Sequence, residues 1–512
     1  MAISTAVGSE RVSRVVGYIL TPGFFQESTP NLPQRVVILA EGNTANQASF
    51  IDTSNYPITS AKAAGDIFGY GSPAHSIMRI LRPPTGGGIG GIPTIVYPQL
   101  EPGAGVAQEL TITITGAATG NATHFVRVNG RTSLDGQPYS FVVADLDSVT
   151  QVAVKVAAAI NNILGCPVTA VAAIGVVTLT AKWAGVTSIE IDATVDNQNK
   201  PVGLTYVSAS TVAGAGATDI SEAVTQLSGN EWNTLIVNSH NAATFDALEL
   251  LNGTPDPDTP SGRYTGIIFK PFISVWGSKL STVAGLVAIT DVAARLDQVT
   301  HALAPAPNSE GFTYEAAANM VGLFARIMQD SPHKDVNGKT YSDMPVPTNE
   351  NIGEMADYEN RDSLSKAGSS TVNLNAGKYE VQDFITTYHP AGEEPPQYRY
   401  CRNLMIDFNV RYSYFLLEQI NVVDKSIAPS DQPIKVSGVI KPKQWLAIVS
   451  KMAEDLAERN IIVEPSFTKD SLDVGISLVN PDRLETFFRY KRSGYVRIAS
   501  TTGEAGFAFG VR

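Results

Sequence analysis

Between residues 105 and 217 only 12 of 113 residues are charged, while Val, Ala, Thr and Gly dominate. The stretch is bordered by GGGIGG (86–91) with residues 98–105 on one side and by AGAGA (213–217) on the other. Such a shift reads as a domain inserted into a second fold through flexible glycine-rich borders, and removable at them. Leu110, Ile112 and Ile114 alternate with threonines, Phe141 and Val143 follow a turn at Asp135 and Gly136, and Val177, Leu179 and Ala181 repeat the period of two, as half-buried strands require. Val149, Val152, Val156, Ile160 and Ile163 fall at helical spacing, opened by Asp147 or Ser148 and closed by Gly165. The insertion is therefore expected to be a small β-rich domain with one helix.

After residue 217 the pattern changes. The strand-like TLIVN (234–238) leads to a helix near residues 244–251, GIIFKPFISVW supplies further strand, and residues 283–303 read as one long Ala-rich helix. Alternating strand and helix predicts a layered α/β sheet. Pro442 opens another helix whose Trp445, Val449, Met452 and Leu456 form an apolar stripe, with Lys451 one turn from Asp455. At 512 residues the chain exceeds a single ordinary core, so the expected fold class is α/β (α+β) and multidomain.

A formal net charge of −12 argues against a surface built for nucleic acid or anionic lipid. The charge is uneven: residues 399–512 hold 16 Lys and Arg against 13 Asp and Glu, a balance of +3 that leaves −15 for the first 398. In a polymer this lets the C-terminal part of one subunit face the acidic part of another. Cys166 and Cys401 lack any paired spacing and read as buried, reduced thiols. Charges interrupt the first 20 residues where a signal peptide needs an apolar core, and no segment approaches the ~18 apolar residues of a membrane span. A cytoplasmic chain without membrane insertion is expected.

Motifs for catalysis and ligands fail on inspection. NGKT (337–340) resembles the end of a phosphate loop, but His333 stands where the first glycine belongs. The glycines at 86–91 lie between Pro83, Pro84 and Pro93, without the strand and helix of a dinucleotide site. Six histidines (75, 124, 240, 301, 333, 389) form no zinc-like pair, and DPD (256–258) departs from a calcium loop at Pro260 and Ser261. With no G-x-S-x-G elbow either, no enzyme, cofactor or metal is expected.

The terminus GEAGFAFGVR (503–512) reads as a strand without a partner in the chain, and such a strand presents unpaired N–H and C=O groups to a neighbouring sheet edge. Together with NAGKYEVQDFITTY, YRYCRNLMIDFNVRYSYFLLEQI, KPKQWLAIVSKMAEDLAERNIIVE, NPDR (480–483) and, earlier, NEWNTLIVNSHNAATFDALELLNG, it resembles the contractile tail sheath proteins of bacteriophages, which are related to the sheaths of R-type bacteriocins and type VI secretion. The matching segments cover about the last third of the chain and one stretch of its middle. The resemblance implies a discontinuous sheath core (residues 21–104 and 216–494), the inserted domain (105–215) facing outward, and linking arms at residues 1–20 and 495–512. Candidate contacts between subunits are Val12, Val15 and Val16 in the first arm and Tyr495, Val496, Ile498, Phe507, Phe509 and Val511 in the second. It further implies that the subunit assembles in the host cytoplasm into the virion tail. Its partners would be copies of itself in stacked hexameric rings, the tail tube protein, and baseplate and tail terminator proteins. Two other readings stay open: another self-assembling protein, such as a static shell or surface array, and a hydrolase with an inserted binding domain.

Overall fold

The strand Val36–Glu41 reads VVILAE and is buried along its whole length, as a parallel strand covered on both faces requires. It is the centre of a sheet in a computed structural model that describes residues 30–229, 234–239, 244–256, 258–266, 269–393 and 396–505. Five parallel strands run in the order Thr94–Gln99, Val36–Glu41, Leu235–Asn238, Ile273–Ser278, His301–Pro305, and Tyr56–Pro57 adds an antiparallel edge beside the first. Numbered along the chain, the parallel order is 2-1-3-4-5, a doubly wound arrangement.

Alternate residues of the central strand serve different layers. Val37 and Leu39, with Ile95, Tyr97 and Ile236, pack under the helices Ser221–Leu227 and Phe245–Asn252. Val36, Ile38 and Ala40 face the larger core, which includes Ala74, Ile77 and Met78 of Pro73–Leu81 and Met320, Val321 and Phe324 of Thr313–Asp330. The result is a three-layered α/β unit.

The insertion leaves that unit after Thr94–Gln99 and returns before Ser221–Leu227. It holds an antiparallel sheet of Leu204–Val212, Glu109–Gly116, Val176–Ala181 and Val168–Ala173, and a second of Ala193–Asp196, Ala122–Val128 and Ser140–Val143. Its one α-helix among the described residues, Val149–Asn161, opens on a Ser148 and Gln151 capping box. The borders are not loose. Val106 and Ala215 exchange both backbone hydrogen bonds, at 2.8 and 3.0 Å. The GGGIGG run is a folded loop inside the α/β unit, where Ile89 is buried, its N–H reaches the Leu81 carbonyl at 2.9 Å, and Arg82 donates to the Gly90 carbonyl at 2.7 Å.

A third core lies in the C-terminal region, where Cys401–Asn421 packs on Pro442–Glu458 and the hairpin Asp473–Ile476 with Leu484–Phe487 joins them. Trp445, Val449, Met452 and Leu456 are buried there as their spacing predicts, and Lys451 meets Asp455 at 3.1 Å. The expected long helix over 283–303 is corrected. Val283–Thr290 is helical, and His301–Pro305 is the edge strand of the parallel sheet. Beyond its histidine HALAP is apolar, and a short run without alternation carries no period that separates strand from helix.

Candidate functional site

In doubly wound sheets a ligand crevice opens where the strand order reverses, beyond the carboxyl ends of the strands. Here the reversal lies between Val36–Glu41 and Leu235–Asn238, and the residue at its mouth is Glu41. Glu41 is fully buried and its carboxylate accepts hydrogen bonds from the hydroxyls of Thr187 (2.9 Å), Thr218 (3.0 Å) and Ser239 (3.3 Å). Thr187 in turn accepts from the indole N–H of Trp183 at 2.9 Å, and Trp183 lies against Phe312 with ring centres 5.9 Å apart. Thr187 and Trp183 belong to the insertion, so the crevice is occupied by the protein's own side chains. A carboxylate surrounded by hydroxyl donors and closed from solvent can brace a joint, but it offers a substrate no approach.

The joint continues along the carboxyl end of the sheet. Glu190 of the insertion accepts from the backbone N–H and hydroxyl of Thr313, both at 2.7 Å, placing an anion at the start of Thr313–Asp330, where the helix dipole favours one. Arg131 lies between Glu315 at 2.9 Å and Asp343 at 3.1 Å, and Arg79 between Asp135 and Asp343, both at 2.8 Å. Burial works against the Arg131 charge, but Glu315 and Asp343 outweigh it and hold that guanidinium above its usual range. Burial likewise pushes the Asp343 carboxyl up, and the two arginines overcome it and hold it below the ordinary value. Gly71 marks how close the two units come. Its φ is +87°, and a methyl there would stand 2.2 Å from the Cys166 carbonyl oxygen. Beside Arg79 and Arg131 is a cavity of about 460 Å³ that Pro84, Gly86, Asn319 and Arg326 also line.

The sequence-predicted contact residues divide into two sets. Val12, Val15, Val16, Phe507, Phe509 and Val511 lie outside the described residues. Tyr495, Val496 and Ile498 follow the last hairpin in an extended segment that belongs to no strand among the described residues. Tyr495 is partly covered, whereas Val496 and Ile498 are 81% and 82% exposed. The root of this segment is anchored. Arg402, buried on Cys401–Asn421, donates to the Ser493 carbonyl (2.8 Å) and hydroxyl (2.7 Å), and Arg497 pairs with Asp335 and with Asp383 at 3.0 Å. The N-terminal root uses the same helix and Thr313–Asp330: Asn409 accepts from the Leu32 N–H at 2.8 Å, and Gln34 N–H donates to Gln329 at 2.8 Å. Sequence reasoning missed Arg402, Asn409 and Arg497. A lone arginine in VRIAS carries no signal of which carboxylate it will meet.

The rejected motifs are structural. NGKT is pinned to the hairpin of Thr371–Asn375 and Lys378–Asp383, with Gly338 and Val381 donating 2.8 Å backbone bonds to Val381 and Lys339 carbonyls. Asp256 caps its own turn, accepting from the Asp258 and Thr259 N–H groups at 2.8 and 2.7 Å. Cys166 and Cys401 are free and buried. Among the described residues no cluster of metal-ligating side chains occurs, and no helix is long and apolar enough to cross a membrane.

No protein-family model matches this chain. No curated protein matches it either. Among solved structures, the crystal structure of a sheath tail protein from Desulfitobacterium hafniense is similar over 92% of this chain and 100% of that one, at 11% identity and a TM-score of 0.40.

Proposed function

We propose that this chain is the structural subunit of a contractile tail sheath. It polymerises as stacked hexameric rings around a tail tube, nucleated at a baseplate and closed by a terminator, and shortens to drive the tube through a host envelope. The observation that carries this reading is the C-terminal segment. It is clamped to the body at Ser493 and Arg497, yet it presents Val496 and Ile498 to solvent with its backbone outside any strand among the described residues. A rigid root followed by an unpaired apolar stretch suits addition to a sheet edge of a second copy. The sequence segments that resemble sheath proteins support the same reading, and the joint that fills the switch-point crevice favours a mechanical body over a reaction centre. In this reading the tight joint keeps the insertion and the α/β unit moving as one body while contacts between subunits rearrange.

Electron microscopy of the purified protein tests it. Hollow helical tubes are expected. Flat lattices would support a static shell or array instead, and dispersed single particles at high concentration would remove the assembly reading.

A further inference from the structure

The segment 493–498 is held by two arginines whose surroundings differ. Arg497 belongs to the segment itself. Its guanidinium reaches Asp335, whose side chain has no solvent exposure, as well as Asp383 and the side-chain amide oxygen of Asn337 at 3.0 Å each, and it stacks 3.7 Å from the Tyr400 ring centre. Arg402 belongs to the body. It is buried, and its donors go to neutral groups: the His333 carbonyl at 3.0 and 2.9 Å, and the carbonyl and hydroxyl of Ser493. Thus a buried cation is tied to the segment, while the buried anion beside it is neutralised by the segment's own arginine.

Lifting the segment breaks both arrangements at once. Asp335 loses Arg497, and a buried carboxylate left without a cation is strongly destabilising. Arg402 simultaneously loses Ser493, and its guanidinium is left with donors to place. Burial already holds the Asp335 carboxyl above its ordinary value, with Arg497 and, more weakly, Arg402 pulling it down, so both cations act on the same carboxylate. Little apolar burial resists the motion, since Val496 and Ile498 face solvent; Tyr495 gives up ring contacts to Arg402 at 5.8 Å and Arg497 at 5.4 Å.

We propose that residues 493–498 form a two-position strap: Arg497 locks it onto Asp335, and when the strap lifts, Arg402 is released from Ser493 and takes Arg497's place on Asp335. The exchange keeps one cation on the buried carboxylate in both positions. The body therefore stays folded while the strap changes direction. The device holds whether or not the chain forms tubes, so its test is made on the monomeric protein.

A nitroxide on Val496→Cys reports the strap selectively, because Cys166 and Cys401 are both buried. With Arg497 present the spectrum should be mostly immobilised. Arg497→Ala should turn it mostly mobile while the melting temperature moves by no more than about 3 °C, and Arg497→Lys should fall between. Arg402→Gln combined with Arg497→Ala should lower the melting temperature by clearly more than the two single changes together, since Asp335 then has no cation in either position. A label equally immobile without Arg497 overturns the lock, and an additive double variant overturns the exchange. Should Arg497→Ala fail to fold, Asp335→Asn with Arg497→Ala removes the stranded carboxylate; a strap still immobile in that pair overturns the proposal as well.

Discussion

Arg131 shows how much one side chain of the insertion contributes to the body. Its partner Glu315 is 2% exposed and also accepts from the Phe312 N–H at 3.2 Å. Arg131→Gln leaves that carboxylate without its cation, and a loss of about 3 kcal/mol is expected in denaturant or thermal unfolding. Adding Glu315→Gln should recover most of it, because the penalty belongs to the unpaired charge. His75 carries a pH dependence of definite sign. Burial, and then Arg79, lower its imidazole from 6.5 to about 4, against Asp135, and Lys182 adds a smaller push downward. A depressed folded-state value means stability present above pH 6.5 and lost as pH falls through 4, a difference worth on the order of 3 kcal/mol when complete. His301, buried beside Phe245 and lowered to about 3, adds in the same direction. Glu249 opposes them: burial pushes it up to about 7 against the pull of Arg295, so its share is present below pH 4.5 and lost as pH rises through 7. Comparing His75→Gln with the parent isolates one group, and the melting temperature of the variant should fall less steeply between pH 7 and pH 5. Equal slopes would mean that His75 takes up its proton alike in the folded and unfolded states.

Among the elements, the amphipathic ones were the most legible. The strands Glu109–Gly116 and Val176–Ala181 alternate buried and less buried residues as their sequences alternate, and Val149–Asn161 opens at Ser148, one of the two expected caps. Residues 301–303 carry no strand period, because His301–Pro305 is buried along its whole length and so shows no alternation. The segment that follows the strap belongs here too. Thr501, Thr502, Gly503, Glu504 and Ala505 are all exposed, so deleting residues 501–512 should leave circular dichroism and the melting temperature unchanged. It should nevertheless abolish tubes: a strand added to a neighbour contributes several main-chain hydrogen bonds at roughly 1 kcal/mol net each, and burying a phenylalanine about 2 kcal/mol more. Normal tubes from the shortened chain would refute strand exchange, and an unfolded product would place this strand in the subunit's own sheet.

For the molecule as a whole, the insertion matters more than its glycine-rich borders suggested. Glu190 sits at the start of a core helix, Thr187 and Trp183 fill the switch-point crevice, and Arg131 neutralises Glu315. Replacing residues 105–215 by a short Gly/Ser linker should therefore lower the melting temperature and reduce solubility, since Phe312 would lose the Trp183 ring and Glu41 the Thr187 hydroxyl. Recovery of a soluble α/β unit with an unchanged transition would show that the joint is peripheral to stability.

Local pattern alone was enough to say that a β-rich domain interrupts a layered α/β fold, because period, caps and a drop in charge are properties of neighbouring residues. Val496 and Ile498 became candidates for contact only through the resemblance to sheath proteins, which implies a linking arm at residues 495–512. What surrounds those residues depended on the folded chain. Arg497 meets Asp335 and Asp383 across more than a hundred positions, and Arg131 meets Glu315 and Asp343 across 184 and 212. Charge pairing at such separations follows from how sheets and helices stack in space, and nothing in the spacing of residues along the chain encodes which carboxylate an arginine will reach.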